Sequence, residues 1–168
     1  MKAWFAGILM SVAWHAGAQC YPSTVQSPTP FMGHSGEVFQ LADGTLWEIR
    51  QAYEYLYHYA PRVEVCPNLG TLTVSGKTLP ITALGRVALH RDPLGPHELL
   101  HSAIAGQFNG FEGDTLFKLA NGQVWKQQEY AYWYHYAYAP SVRIERVNGQ
   151  YRMTVNGVAK SINVVRLK

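Results

Sequence analysis

Residues 39–47 read FQLADGTLW, and residues 117–125 read FKLANGQVW. Each stretch sets a two-residue turn signal, Asp43 with Gly44 or Asn121 with Gly122, between short apolar-alternating runs. That pattern predicts a β-hairpin, because only residues comfortable at positive φ suit so tight a loop. Downstream, residues 52–65 (AYEYLYHYAPRVEV) and 131–144 (AYWYHYAYAPSVRI) agree at eight of fourteen positions. The offset between the copies moves from 78 to 79, with one residue inserted after Trp125. TVSG at 73–76 then matches TVNG at 154–157, and upstream Phe31 and Gly33 match Phe108 and Gly110. Agreement of this extent points to duplication, and a repeat decides the architecture before any single element does.

Each copy reads as strands. The tyrosine run alternates with period two until Pro61 or Pro140 ends it, since proline cannot donate into a central ladder. Val63 and Val65, or Val142 and Ile144, begin another alternating strand, and Ser75 with Gly76, or Asn156 with Gly157, makes a second hairpin turn. Five or six short strands in about 55 residues predict an all-β fold of two small closed barrels in tandem. The expected order is an export segment at 1–18, an arm at 19–30, a first barrel at 31–84, a linker with a short helix at 85–103, and a second barrel at 104–168. One larger sandwich made from both halves is the alternative.

Residues 106–140, GQFNGFEGDTLFKLANGQVWKQQEYAYWYHYAYAP, followed by VRI and YRMTVNG, carry a G-x-F-x-G…F-x-L-x-N-G-Q-x-W pattern and a tyrosine-rich strand. In these the chain resembles a poorly characterised family of exported bacterial proteins. The resemblance implies an SH3-like small barrel, present here as a tandem duplicate, and it carries no activity. The first copy departs from the pattern: Thr45 stands for the glutamine after the glycine, and Glu48, Ile49 and Arg50 replace the Lys-Gln-Gln run.

The chain has 168 residues, too few for a (β/α)₈ enzyme or a two-domain dehydrogenase. A net charge of +3 does not announce a nucleic-acid binder, and 13% aromatic residues argue against disorder. Lys2, the apolar run at 3–17 and the small residues Ala16, Gly17 and Ala18 have the form of a signal peptide, too short to span a membrane. Gln19 immediately before Cys20 disfavours a lipidated terminus. The periplasm and the exterior are oxidising, so Cys20 and Cys66 are expected to form a disulfide. No span is expected in the mature chain.

Nine of the 11 tyrosines lie in the two alternating runs. Tyr53, Tyr55, Tyr57 and Tyr59 would share one strand face, as would Tyr130, Tyr132, Tyr134, Tyr136 and Tyr138. They either cover the barrel core with hydroxyls at the rim, or stand outside as a binding surface. So small a barrel cannot bury every ring. Trp47 and Trp125 read as core anchors. Trp133 stands where the first copy has Glu54, faces away from the tyrosines, and reads as the better binding candidate or a contact between copies.

Residues 31–84 carry a net −2 and residues 106–168 a net +4, with Arg143 among a basic cluster near the C-terminus. This is solvated surface, attraction between the halves, or a site for an anionic polymer. Residues 97–101 spell HELLH, the zinc-protease pattern, which needs both histidines on one helix face and the glutamate as base. Pro96 before it and Gly106 shortly after leave a short linker helix as the reading, with at most a weak adventitious metal site. No other catalytic motif emerges, and no cofactor is expected.

The leading functional expectation is an exported, non-enzymatic binding protein. Tyr53, Tyr55, Tyr57, Tyr59, Tyr132, Trp133, Tyr134, Tyr136, Tyr138 and Arg143 would engage an envelope glycan or protein partner, with no nucleic acid expected. The alternatives are a periplasmic inhibitor or immunity-type protein of an envelope enzyme, and, more remotely, a zinc hydrolase through HELLH.

Overall fold

The Asp43–Gly44 and Asn121–Gly122 turns form where the sequence places them, by a chemistry that uses the glycine and its neighbour differently. In the computed structural model, which describes residues 19–88 and 99–168, Gly44 and Gly122 take φ of 81° and 82°, while Asp43 and Asn121 do not go left-handed. Instead the Thr45 amide donates to Asp43 Oδ1 at 2.9 Å, and the Gln123 amide donates to Asn121 Oδ1 at 3.1 Å. Each side chain thus closes its own loop. The Ser75–Gly76 turn does place both residues at positive φ, as a two-residue hairpin loop demands, and so does Asn148–Gly149, which the sequence reading did not mark. At Asn156–Gly157 only the glycine is left-handed, and residues 156–161 separate the strands in place of the expected tight turn.

Strands account for nearly all regular structure. They are β1 (Tyr21–Ser27), β2 (Val38–Leu41), β3 (Thr45–Ile49), β4 (Arg62–Cys66), β5 (Thr71–Val74), β6 (Lys77–Arg86), β7 (Leu99–Ala103), β8 (Gln107–Glu112), β9 (Leu116–Lys118), β10 (Val124–Gln127), β11 (Tyr132–Tyr138), β12 (Ser141–Val147), β13 (Gln150–Val155) and β14 (Ile162–Arg166). A single 3₁₀ turn, Pro67–Leu69, joins β4 to β5 among the described residues. None of the described helices is long and apolar enough to cross a membrane.

The first six strands close into an antiparallel barrel in the order β1-β2-β3-β6-β5-β4. Closure abolishes the exposed edges that an open sheet would present. The later strands form a six-stranded sheet, β7-β12-β13-β14-β10-β9. Its outer strands meet through the Ile104–Leu119 bridge, so its order read around the ring repeats that of the barrel. A separate pair, β11 with β8, lies apart from that sheet.

Two departures from the sequence reading follow. The arm expected at 19–30 contains β1, which pairs with both β2 and β4 and completes the barrel. The linker expected at 85–103 ends in β7, so Leu99, Leu100 and His101 are extended where a helix was expected. The rest of that helix, with His97 and Glu98, lies outside the described residues, as does the export segment at 1–18.

Each half has its own core, which excludes one sandwich shared by both. Phe31, Phe39, Trp47, Ile49, Val65 and Leu72 fill the first, and Phe108, Phe111, Phe117, Trp125, Ile144 and Met153 the second. The two buried indoles are held alike: Trp47 Nε1 donates to Thr45 Oγ1 at 2.8 Å, and Trp125 Nε1 to Gln123 Oε1 at 3.0 Å. A third cluster joins the halves, made of Val38 and Leu46 from one and Leu116 and Val124 from the other, with Leu167. These are corresponding positions of the two sequence copies, so the halves meet through the same surface in the manner of a two-fold interface. The Cys20–Cys66 disulfide ties the start of β1 to the end of β4.

Candidate binding surface

Polar contacts fix how the halves sit together. Ser27, wholly buried, donates from Oγ to the Asp114 carboxylate at 3.0 Å, and the Thr29 amide donates to its other oxygen at 2.9 Å. Lys118 Nζ reaches the buried Glu48 carboxylate at 2.8 Å, with Arg50 at 3.2 Å on the same oxygen. The Asn109 amide approaches His34 Nε2 at 3.5 Å. His34 bridges to Tyr53, and Glu112 pairs with Tyr132. The segments that carry the two tyrosine runs are therefore neighbours of the joint itself.

This brings four extended segments side by side. Residues 52–59 lie against 31–34 through the Phe31–His58 and His34–Tyr53 bridges. On the other side, β11 lies against β8. The two inner segments meet at His34 and Asn109, and Tyr138, Gln107, Ser35 and Gln51 line one groove at one end. At the opposite end the Tyr130 ring passes over Gly113. The two runs are thus the antiparallel flanks of a single surface.

The rings face outward. All nine tyrosines of the two runs are between 51% and 100% exposed, while Trp133, on the alternate face opposite the buried Phe111, is 45% exposed. The reading in which they cover the core is overturned. The reason lies on the alternate face: Leu56 packs on the first core and Ala137 on the second, filling the little space available. At roughly 200 Å² per ring, the exposed aromatic area is on the order of 1,000 Å².

The flanks differ in backbone. Residues 132–138 form a strand as expected, with the register slipping between Tyr134 and Ala137. Residues 52–60 do not, making two isolated bridges and the hydrogen bonds Ser35 N to Ala52 O and Leu56 N to Met32 O in place of a ladder. Tyr57 sits at φ 55° and Ala60 at φ 42°, conformations that turn a chain out of a ladder. The rings compensate by holding one another. Tyr55 stacks on Tyr57 at 6.2 Å, Tyr57 meets Tyr59 edge-on at 5.7 Å, and their hydroxyls lie 3.3 Å apart. Sharing that hydrogen bond with Tyr57 raises the Tyr59 phenol above its ordinary value, with repulsion from Tyr57 and Tyr130 in the same direction.

The undersides are pinned to the sheets. His58 Nε2 lies 3.2 Å from Ser75 Oγ, and Glu54 pairs with Lys77. His135 lies over Gly157 in the other half. Gly110 is required where β11 crosses β8: a Cβ there would stand 2.0 Å from the Trp133 carbonyl oxygen.

Between the flanks runs a polar line that the sequence did not mark. His34, Glu37, Asn109 and Glu112 border a cavity of about 60 Å³ between the halves. Glu37 is buried and accepts from the Met32 amide at 3.0 Å and the Gly33 amide at 2.5 Å. Burial pushes its carboxyl up to about 7, against the charge of His34 and those amides. Burial also raises Glu112, opposed by His34.

Arg143 is not part of this surface. It lies on β12 opposite His101 and Thr154 and pairs with Glu145 at 3.4 Å. No group of three or more histidine, cysteine or acidic side chains among the described residues could hold a metal ion. Compared with known proteins, the chain matches no family model, no curated protein and no solved structure.

Proposed function

We propose that this is an exported, non-enzymatic binding protein, built as two tandem SH3-like barrels, that engages an envelope glycan or protein through its aromatic surface. The observation that carries the reading is the outward exposure of both tyrosine runs on one joined surface. Rings standing in solvent fill no core, and with two side-chain torsions each they lose little conformational entropy when a ligand covers them. The repeated strand order supports the tandem arrangement. The disulfide is compatible with an oxidising periplasm or exterior, where residues 1–18 would direct the chain.

Pull-down of envelope material by the native protein and by a W133A/Y134A variant tests this. Retention is expected to fall at least about tenfold, as for loss of central interface aromatics. Unchanged retention by a folded variant would refute the role of the surface.

A further inference from the structure

The two flanks of the surface share a chemistry that narrows the ligand. Residues 52–60 and 130–139 contain no lysine or arginine and a single carboxylate, Glu54, which Lys77 pairs with beneath the surface. The rings themselves bear no formal charge at neutral pH. A polyanion, whether nucleic acid or an acidic wall polymer, is held by lysine and arginine contacts to its charges. The flanks offer none, and Arg50 and Lys118, which line the groove at one end, are both engaged by Glu48. An acyl chain would not suit a surface with a hydroxyl on nearly every ring.

The arrangement is also repetitive. One residue type recurs at every second position, and the pattern is presented twice on antiparallel flanks. A specific protein interface is built from unlike anchors, each filling its own pocket. A comb of like rings instead suits a ligand whose own chemistry repeats, and two such combs on one body bind a polymer with the gain of linked sites. Sugar rings present C–H faces for stacking on a phenol and hydroxyls for hydrogen bonding at its rim. His34, Asn109 and Glu112, all partly exposed between the flanks, add donors and acceptors in the centre.

We infer that the aromatic surface takes a neutral polysaccharide, laid across both tyrosine flanks with its hydroxyls toward the polar line of His34, Asn109 and Glu112. This rests on the binding role proposed above and names the ligand class for the same surface.

Native affinity electrophoresis tests it with neutral polymers (hydroxyethyl cellulose, laminarin, xylan, dextran) against two anionic ones, alginate and heparin. At least one neutral polymer is expected to retard the protein, with retardation unaffected by added salt. A Y132A/Y134A variant and a Y55A/Y57A variant should each weaken that binding about tenfold, since removing either flank leaves one comb of two. Circular dichroism of each variant shows that it is folded; if either is not, Y134F and Y55F, which keep the ring and lose the hydroxyl, take its place and are expected to weaken binding about threefold. Retardation by anionic polymers alone, abolished by salt, would overturn the inference. So would absence of retardation by every neutral polymer. If tyrosine-dependent retention of envelope material persists in that case, the binding role stands while the ligand is a protein or an anionic glycan. If the tyrosine variants retain envelope material unchanged, the binding role fails as well.

Discussion

Glu37 should make the protein less stable as pH rises through neutrality, which is the reverse of ordinary carboxylate behaviour. Its carboxyl stands at about 7 in the folded chain against an ordinary value of 4.5, because burial penalises the ionised form more than His34 and two backbone amides favour it. Between those values the folded protein binds the proton more tightly than the unfolded chain does. Unfolding free energy therefore falls as pH rises across that window. Below pH 4.5 this group contributes no slope, and above about 7 the loss is complete. At about 1.4 kcal/mol per unit, the loss amounts to roughly 3 kcal/mol. The raised Glu112 adds in the same direction. Asp43 behaves oppositely: partial burial works to raise it, but its bonds to Thr45 prevail and hold it below its usual value, so its effect falls at lower pH. Urea unfolding followed by tryptophan fluorescence from pH 4.5 to 8 reads the slope directly. Glu37→Gln removes the titrating group and should flatten the curve by roughly 3 kcal/mol across the window. Its absolute stability is not the test, since the two backbone amides donate to different carboxyl oxygens and a glutamine offers only one oxygen, its NH₂ facing the other donor. Equal slopes in the native protein and the variant would refute the reasoning.

Gly110→Ala should cost about 3–5 kcal/mol by thermal unfolding, because a Cβ would press on the Trp133 carbonyl at a φ of 108°. Gly122→Ala, with open space around it, should cost only about 1 kcal/mol. Lys118→Met leaves the buried Glu48 with Arg50 alone and should destabilise by about 2 kcal/mol in urea, loosening the joint between the halves. Replacing Cys20 and Cys66 by serine frees a loop of separation 46 and should cost about 4 kcal/mol by chain entropy, seen as a lowered urea midpoint.

What the sequence revealed was local. Asp43 and Gly44, Asn121 and Gly122 are short-range signals, and their loops form from chemistry within four residues. Trp47 and Trp125 were legible as core because a hairpin places them on its inner face. β1 was not legible: YPSTVQS carries a proline and few apolar residues, so only its pairing with β2 and β4 makes it a strand. β7 was hidden under a metal-site spelling whose helical spacing its backbone does not follow. The two tyrosine runs read identically, yet only one is a strand, since Tyr57 turns left-handed in the other.

The polar line was the least legible part. His34 stands 75 residues from Asn109 in the chain, as Glu37 does from Glu112, and nothing short of the packed joint brings the two pairs together. One signal was available. At the joint the two sequence copies disagree, with Glu37 opposite Thr115 and Glu48 opposite Lys126 in the alignment. Lys118 then finds Glu48 across the joint, a pairing with no counterpart at the corresponding positions, which hold Gln40 and Lys126. The export expectation and the first half of HELLH fall on residues outside those described.

The tyrosine flanks must be a working surface if the protein binds as proposed. Nitration of the native protein by tetranitromethane, mapped by mass spectrometry with and without bound envelope material, addresses that claim at each ring. Ready modification of Tyr53, Tyr55, Tyr132, Tyr134 and Tyr138 is predicted in the free protein, with protection of those same rings when envelope material is bound. Rings that are modified equally in both states would contradict it.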